Sequence, residues 1–558
     1  MHNPILPGFH PDPSICRVGS DYYLATSTFE WFPGVALFHS VDLAHWFPIG
    51  HGLTRSSQLN LIGVPNSGGV WAPCLSYADG LFWLVFTNSR NWGATMDTPN
   101  YLVTASDIHG PWSDPIHLNS SGFDPSLFHD LDGRKWLVNI QWDHRPGNNE
   151  FAGILLQEYD SQTRKLVGSV TNILRCSEFG HTEGPHLYRR GDYYYLLTAE
   201  GGTEYGHAAT IARSQKIDGP YEVHPNKQIL TAREDRRWPL QKTGHASVVE
   251  TPEGEWHMVY LCARPLPGTS YCNLGRETGI TPCQWTDDGW LEPVAGLLAP
   301  VEFNSEPDSP PRPACIDFGE IETLPPTLQT LRCPPTPDWC SMEARPGWLR
   351  LTGRESMRSL HHQSTIGRRL EHFQVRIETC LDFHPKTFQQ LAGLAAYYDT
   401  DAYYYLHVTW DENLGRCLRL LDGCAHVEVC PRPIKISESG VVHLAVEFDF
   451  HAIRFSYSLD GKQWQYCGHD LEAAKLSDEW AGKLGFTGTM VVLNAQDLGG
   501  TFLPADFKYF RYFPARKSGD PMMTGLPMIQ IRESGGGEDG GAKETGMQRI
   551  THRDLMNA

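Results

Sequence analysis

Asp12-Pro13-Ser14-Ile15-Cys16-Arg17-Val18-Gly19-Ser20-Asp21-Tyr22-Tyr23-Leu24 opens a pattern that recurs five times within the first 260 residues. The copies begin at Asp12-Pro13-Ser14, Trp71-Ala72-Pro73, Asp124-Pro125-Ser126, Glu183-Gly184-Pro185 and His245-Ala246-Ser247. A turn glycine follows each (Gly19, Gly80, Gly133, Gly191, Gly254), then an aromatic-aliphatic run such as Phe82-Trp83-Leu84-Val85 or Tyr193-Tyr194-Tyr195-Leu196. Short strands punctuated by glycine at this period are the signature of propeller blades. The runs of Val, Ile, Tyr, Phe and Trp bounded by Gly, Pro, Asn and Asp predict strands throughout, and no long segment keeps helical periodicity.

The blade reading places chemistry. The first strand of each blade lines the channel, so residues at one register converge on the axis. On the alignment above those are Asp12, Trp71, Asp124, Glu183 and His245. Any one of them alone reads as an ordinary turn or core residue. Three carboxyls at equivalent places shift one another's pKa, which is the mark of a functional site.

The whole chain has 558 residues and a net charge of −19, so more than one domain is expected and nucleic acid or an anionic membrane is not the expected partner. No apolar stretch reaches membrane-spanning length, and the N-terminus lacks the basic and apolar regions of a signal peptide, which predicts a cytoplasmic protein. The 14 cysteines show no metal-finger spacing and read as free thiols. The expected organisation is an all-β chain: a five-bladed β-propeller over 1–299, a proline-rich linker over 300–313, a β-sandwich over 314–515 and a disordered tail over 516–558. The sandwich rests on alternating candidates such as Phe373-Gln374-Val375-Arg376-Ile377-Glu378 and Val442-His443-Leu444-Ala445-Val446-Glu447-Phe448.

With Gly8-Phe9-His10-Pro11-Asp12-Pro13-Ser14, Ser27-Thr28-Phe29-Glu30-Trp31, Trp71-Ala72-Pro73, Thr182-Glu183-Gly184-Pro185-His186, Gly244-His245-Ala246-Ser247, Leu274-Gly275-Arg276-Glu277-Thr278 and Phe486-Thr487-Gly488 in this order, residues 3–515 resemble glycoside hydrolase family 43. The closer likeness is to its two-domain β-xylosidases, a five-bladed propeller followed by a concanavalin-like β-sandwich. The resemblance implies Asp12 as general base, Glu183 as general acid and Asp124 as the carboxylate that tunes the acid. It implies Phe29, Trp71, Trp142, His245 and Arg276 as pocket residues, with Phe486 of the sandwich at the mouth. Relatives hold a calcium ion in the channel and form dimers or tetramers. This sequence has no dedicated ligand cluster, so no cofactor or metal is expected to be required, and a homo-oligomer is carried over from the relatives alone.

The expected activity is exo-acting, inverting release of xylose from β-1,4-xylooligosaccharides. An α-L-arabinofuranosidase, alone or bifunctional, and a non-catalytic carbohydrate-binding protein are the alternatives. Trp71 and Phe29 are expected to border a sugar ring. Arg276 is expected to offer its fork of donors to vicinal hydroxyls.

Overall fold

A computed structural model describes residues 3–302, 314–481 and 485–515. The expected linker falls almost wholly, and the expected tail entirely, outside the described residues.

Five antiparallel sheets follow one another along the chain. Each begins with one of the repeat copies: Ser14–Val18, Gly69–Ala78, Ser126–His129, Glu183–Arg190 and Gln241–Glu250 are the first strands of blades one to five. The hairpins from first to second strand turn at Gly19, Gly80, Gly133, Gly191 and Gly254. All five glycines have φ between 58° and 88°, a region that a Cβ disfavours. That requirement is why the repeat was visible.

The first strands touch in cyclic order, one to two, two to three, and finally five back to one. The serine of the repeat helps to explain how. Ser14 Oγ accepts from Leu75 N of blade two at 3.0 Å, and Ser126 Oγ donates to Pro185 O of blade four at 2.6 Å. Ser247 Oγ accepts from Ile15 N at 3.3 Å, linking blade five to blade one. Each hydroxyl satisfies or borrows a backbone group of the next blade, which a buried polar atom needs. Asn3 completes the ring: its amide nitrogen donates to Ile280 O and Pro300 O, and its Oδ1 accepts from Ile280 N.

The second half of the chain forms two larger sheets of eight and nine strands. Their shared core includes Leu394, Leu406, Val446, Phe448 and Phe507, all fully buried. The candidate segments around 373–378 and 442–448 are strands Gln374–Asp382 and Val442–Asp449, paired antiparallel. One strand of the nine-stranded sheet comes from the first half. Trp31–Phe32 leaves blade one and pairs with Gln329–Leu331, Phe32 opposite Thr330 and Trp31 opposite Leu331. Trp31 is fully buried and packs edge-on against Tyr397 at 6.1 Å. The two architectures therefore share a sheet, which positions the sandwich over the channel mouth.

Candidate active site

The five functional residues at the blade starts do not share one register, contrary to the sequence alignment. Strand pairing makes Ser14, Cys74, Ser126, His186 and Ser247 equivalent, opposite Ala25, Val85, Val138, Leu197 and Val259 of the second strands. Two residues earlier stand Asp12, Ala72, Asp124, Gly184 and His245, and every one has positive φ, between 33° and 57°. Trp71 and Glu183 lie one residue further back. They are still strand-paired, with Thr87 and Ala199, just before a bulge. A one-residue offset would normally send a side chain to the opposite face, and the left-handed residue at the bulge re-aims it. Gly184 needs to be glycine twice over: its φ is 57°, and a Cβ there would lie 3.1 Å from the His245 ring.

Despite the two registers the side chains converge. Asp12 is buried; its Oδ2 accepts from Ser27 Oγ at 2.6 Å, and its Oδ1 lies 3.2 Å from Arg276 Nη1 and 3.8 Å from His245 Nδ1. Ser27 Oγ is itself fixed by Ala72 N at 2.7 Å. Burial pushes the Asp12 carboxyl up, but Arg276, His245 and the Ser27 hydroxyl together outweigh it and hold the pKa below the usual aspartate value. Asp124 Oδ2 accepts from Gly184 N at 3.0 Å. Burial raises Asp124 to about 6 against the pull of His245, and Asp12 adds to the rise. Glu183 is driven well above the ordinary glutamate value, first by burial, then by the charges of Asp124 and Asp12. Sequence reasoning put the Asp124 charge first; burial is the larger cause.

Arg276 is more fully engaged than a free fork. Nε and Nη2 both donate to Phe486 O, at 3.2 and 3.1 Å. Nη1 bonds Asp12 Oδ1 and donates to Thr203 Oγ1 at 2.7 Å. One Nη2 proton is left for a ligand, so the main effect of this guanidinium falls on Asp12. Its plane also lies over the Phe29 and Phe486 rings, 5.4 and 5.1 Å from their centroids.

An aromatic wall stands beside this polar cluster. Phe29, Trp71 and Phe486 have centroids 5.9–6.3 Å apart. Trp92 joins them, 4.9 Å from Trp71 and 6.0 Å from Phe486. Trp142 sits one layer out: Phe123 lies between it and Trp71, and its Nε1 donates to Ala94 O. Trp71 Nε1 donates to Ser67 O, and Ser67 Oγ accepts from Phe486 N at 3.1 Å, which ties the sandwich loop to the propeller wall. Cys74 faces away from the cluster and is buried with Trp83, Val85 and Leu127.

Sequence reasoning missed Ser27, Trp92, Phe123 and Thr203. Ser27 opens a quoted motif two residues before the assigned Phe29, and Phe123 directly precedes the assigned Asp124. Trp92 and Thr203 lie in connections that carry no periodic signal.

Among the described residues no three or more His, Cys, Asp or Glu are placed to hold a metal ion. The side chains alone do not supply the six to eight oxygens that a calcium ion takes.

The family model for glycosyl hydrolases family 43 matches residues 1–291. The chain belongs to glycosyl hydrolase family 43. A second model, the β-xylosidase C-terminal concanavalin A-like domain, matches residues 315–513 of this glycoside hydrolase. A β-xylosidase of Bacillus subtilis is 47% identical over 91% of the chain and 99% of its own length. A xylosidase/arabinosidase 43B of Humicola insolens is 46% identical over 93% of the chain and 99% of its own length. Among solved structures, a xylan β-1,4-xylosidase from Bacillus halodurans superposes with a TM-score of 0.89 at 52% identity, covering 92% of this chain and all of that one.

Proposed function

We propose that this family 43 hydrolase is an exo-acting β-xylosidase that removes xylose from the non-reducing end of β-1,4-xylooligosaccharides with inversion. One observation carries the reading. Two carboxyls of one cluster, Asp12 buried and Glu183 half-buried, are driven to opposite protonation states, Asp12 down and Glu183 up. Near neutral pH Glu183 keeps its proton and is the general acid; Asp12 is ionised and is the general base.

In the reaction Glu183 protonates the glycosidic oxygen as the bond to the anomeric carbon breaks. A water on the opposite face of the sugar attacks that carbon and gives its proton to Asp12. Inversion needs the two carboxyls roughly 6.5–9.5 Å apart, far enough to admit that water. Asp124 keeps the acid protonated through its charge, and its acceptor bond from Gly184 N holds it in place. Phe29 and Trp71 supply an apolar wall for the sugar ring. Phe486, brought by the sandwich against both, favours a short pocket and hence exo-action.

The xylosidase/arabinosidase relative at 46% identity favours a second reading, arabinofuranosidase activity in the same pocket. The test is nitrophenol release from nitrophenyl β-D-xylopyranoside and nitrophenyl α-L-arabinofuranoside side by side. Dominant xyloside cleavage is expected. Cleavage of the arabinoside alone keeps the site and overturns the substrate, and cleavage of neither, with xylobiose also untouched, overturns the proposal.

A further inference from the structure

A cavity of about 220 Å³ lies between blade one and the sandwich. Arg368 and Arg369, at the end of strand Ser364–Arg369, line it together with His10 and His51 of the propeller. Arg369 is 4% exposed. Its Nε donates to Phe9 O at 2.5 Å, and its Nη2 has no protein partner. Among the described residues no carboxylate lies within ion-pair distance of it. Glu371 is nearby but is bonded to Arg368 Nη2 at 2.9 Å.

Three further nitrogens around the same cavity are buried without a protein partner: Arg368 Nε, His10 Nδ1 and His51 Nε2. The His10 ring is held edge-on to Phe38, and its backbone N donates to Arg276 O, so its aim is fixed. Burial keeps both imidazoles neutral and pushes Arg369 down to about 10. Each neutral ring still carries one N–H that can point into the cavity.

Two guanidinium groups therefore line a cavity with one carboxylate, already engaged by Arg368, inside a chain whose net charge is −19. Arg368 also lies over the Tyr512 ring and Arg369 over the Phe9 ring. An unpaired buried cation is costly. Donors predominate on this wall, which suits neither another cation nor a ligand that must itself donate. Guanidinium forks match oxyanions bidentately. The geometry points to a binding site for a small oxyanion, a phosphate or carboxylate group, seated between Arg368, Arg369, His10 and His51. The site lies behind the segment that delivers Asp12, since Arg369 bonds the carbonyl of Phe9. It does not rest on the xylosidase reading.

The test is calorimetric titration of the full chain with inorganic phosphate and, in a second arm, with acetate, both at constant ionic strength. Saturable binding of one anion per chain is expected in at least one arm, and the better arm names the group. A rise in Tm with that anion should accompany it. Arg369→Gln should weaken binding by at least about tenfold, the loss of one charge-assisted bond. His51→Ala, at a less buried position, should weaken it too and guards against misfolding of the arginine variant. Arg276→Lys should leave it intact, which separates this site from the hydrolytic pocket. No saturable binding in either arm, or binding that survives both Arg369→Gln and His51→Ala, overturns the proposal.

Discussion

The channel mouth of the propeller and the sandwich both bury charge, and they do so in opposite ways. In the sandwich two groups of buried carboxylates are paired with arginines. Arg376 bonds Glu378 and Glu447, and Asp506 receives both Arg345 and Arg350. At the mouth three carboxyls, Asp12 and Asp124 buried and Glu183 half-buried, share essentially one cation, Arg276, which bonds only the first. Paired burial holds a structure together. Uncompensated burial stores pKa shifts, and these are what acid-base catalysis uses.

The contrast breaks most visibly by truncation. Glu183→Ala and Asp12→Ala should each lower kcat on xylobiose by about 10²- to 10⁴-fold. Tm should hold or rise for Glu183→Ala, which removes a carboxyl whose ionisation burial opposes. It should fall for Asp12→Ala, which leaves buried Arg276 without its carboxylate partner. Near wild-type turnover in either variant would remove that residue from the mechanism. Arg376→Met should behave in the reverse sense, costing about 3 kcal/mol of stability in denaturant unfolding because two buried carboxylates lose their partner. Its kcat should not change, and a large loss of turnover would show that the sandwich pairing reaches the pocket. Thr203→Val tests the finer placement of Arg276. It deletes one bond to a charged group, so kcat/KM should fall roughly tenfold with little change in Tm, and an unchanged kcat/KM would leave Thr203 without a positioning role.

Much of this was legible in the chain because it is local. Hairpin glycines at positive φ recur in every copy and the serine that stitches neighbouring blades in three of the five, so the five-bladed propeller could be counted. The register was not legible. The left-handed position two before the Ser-equivalent residue is Asp in blades one and three but Ala72 and Gly184 in blades two and four, and neither residue advertises it. Sequence reasoning aligned the chemical side chains with one another, while the backbone aligned the conformations. The pairing of Trp31–Phe32 with Gln329–Leu331 joins residues about 300 apart, beyond any local pattern. Phe486 was placed through resemblance alone, since nothing in its own neighbourhood says that it crosses to the other domain. The engaged state of Arg276 was missed for the same reason: three of its four bonds go to Phe486 and Thr203.

The most direct test of uncompensated burial is the pH profile of kcat/KM for the wild type and Asp124→Asn, which reports the free enzyme's essential acid and base. Asp124, with its own pKa near 6, is ionised where the alkaline limb falls, and its charge raises the pKa of Glu183. Removing that charge lowers the acid's pKa, so the alkaline limb should move to lower pH. Burial, the larger cause, should keep it above the ordinary carboxyl range. The acid limb should persist, since the bonds of Asp12 to Arg276 and Ser27 are untouched. An alkaline limb that stays in place would contradict the account, because the acid would then be indifferent to the carboxylate beside it.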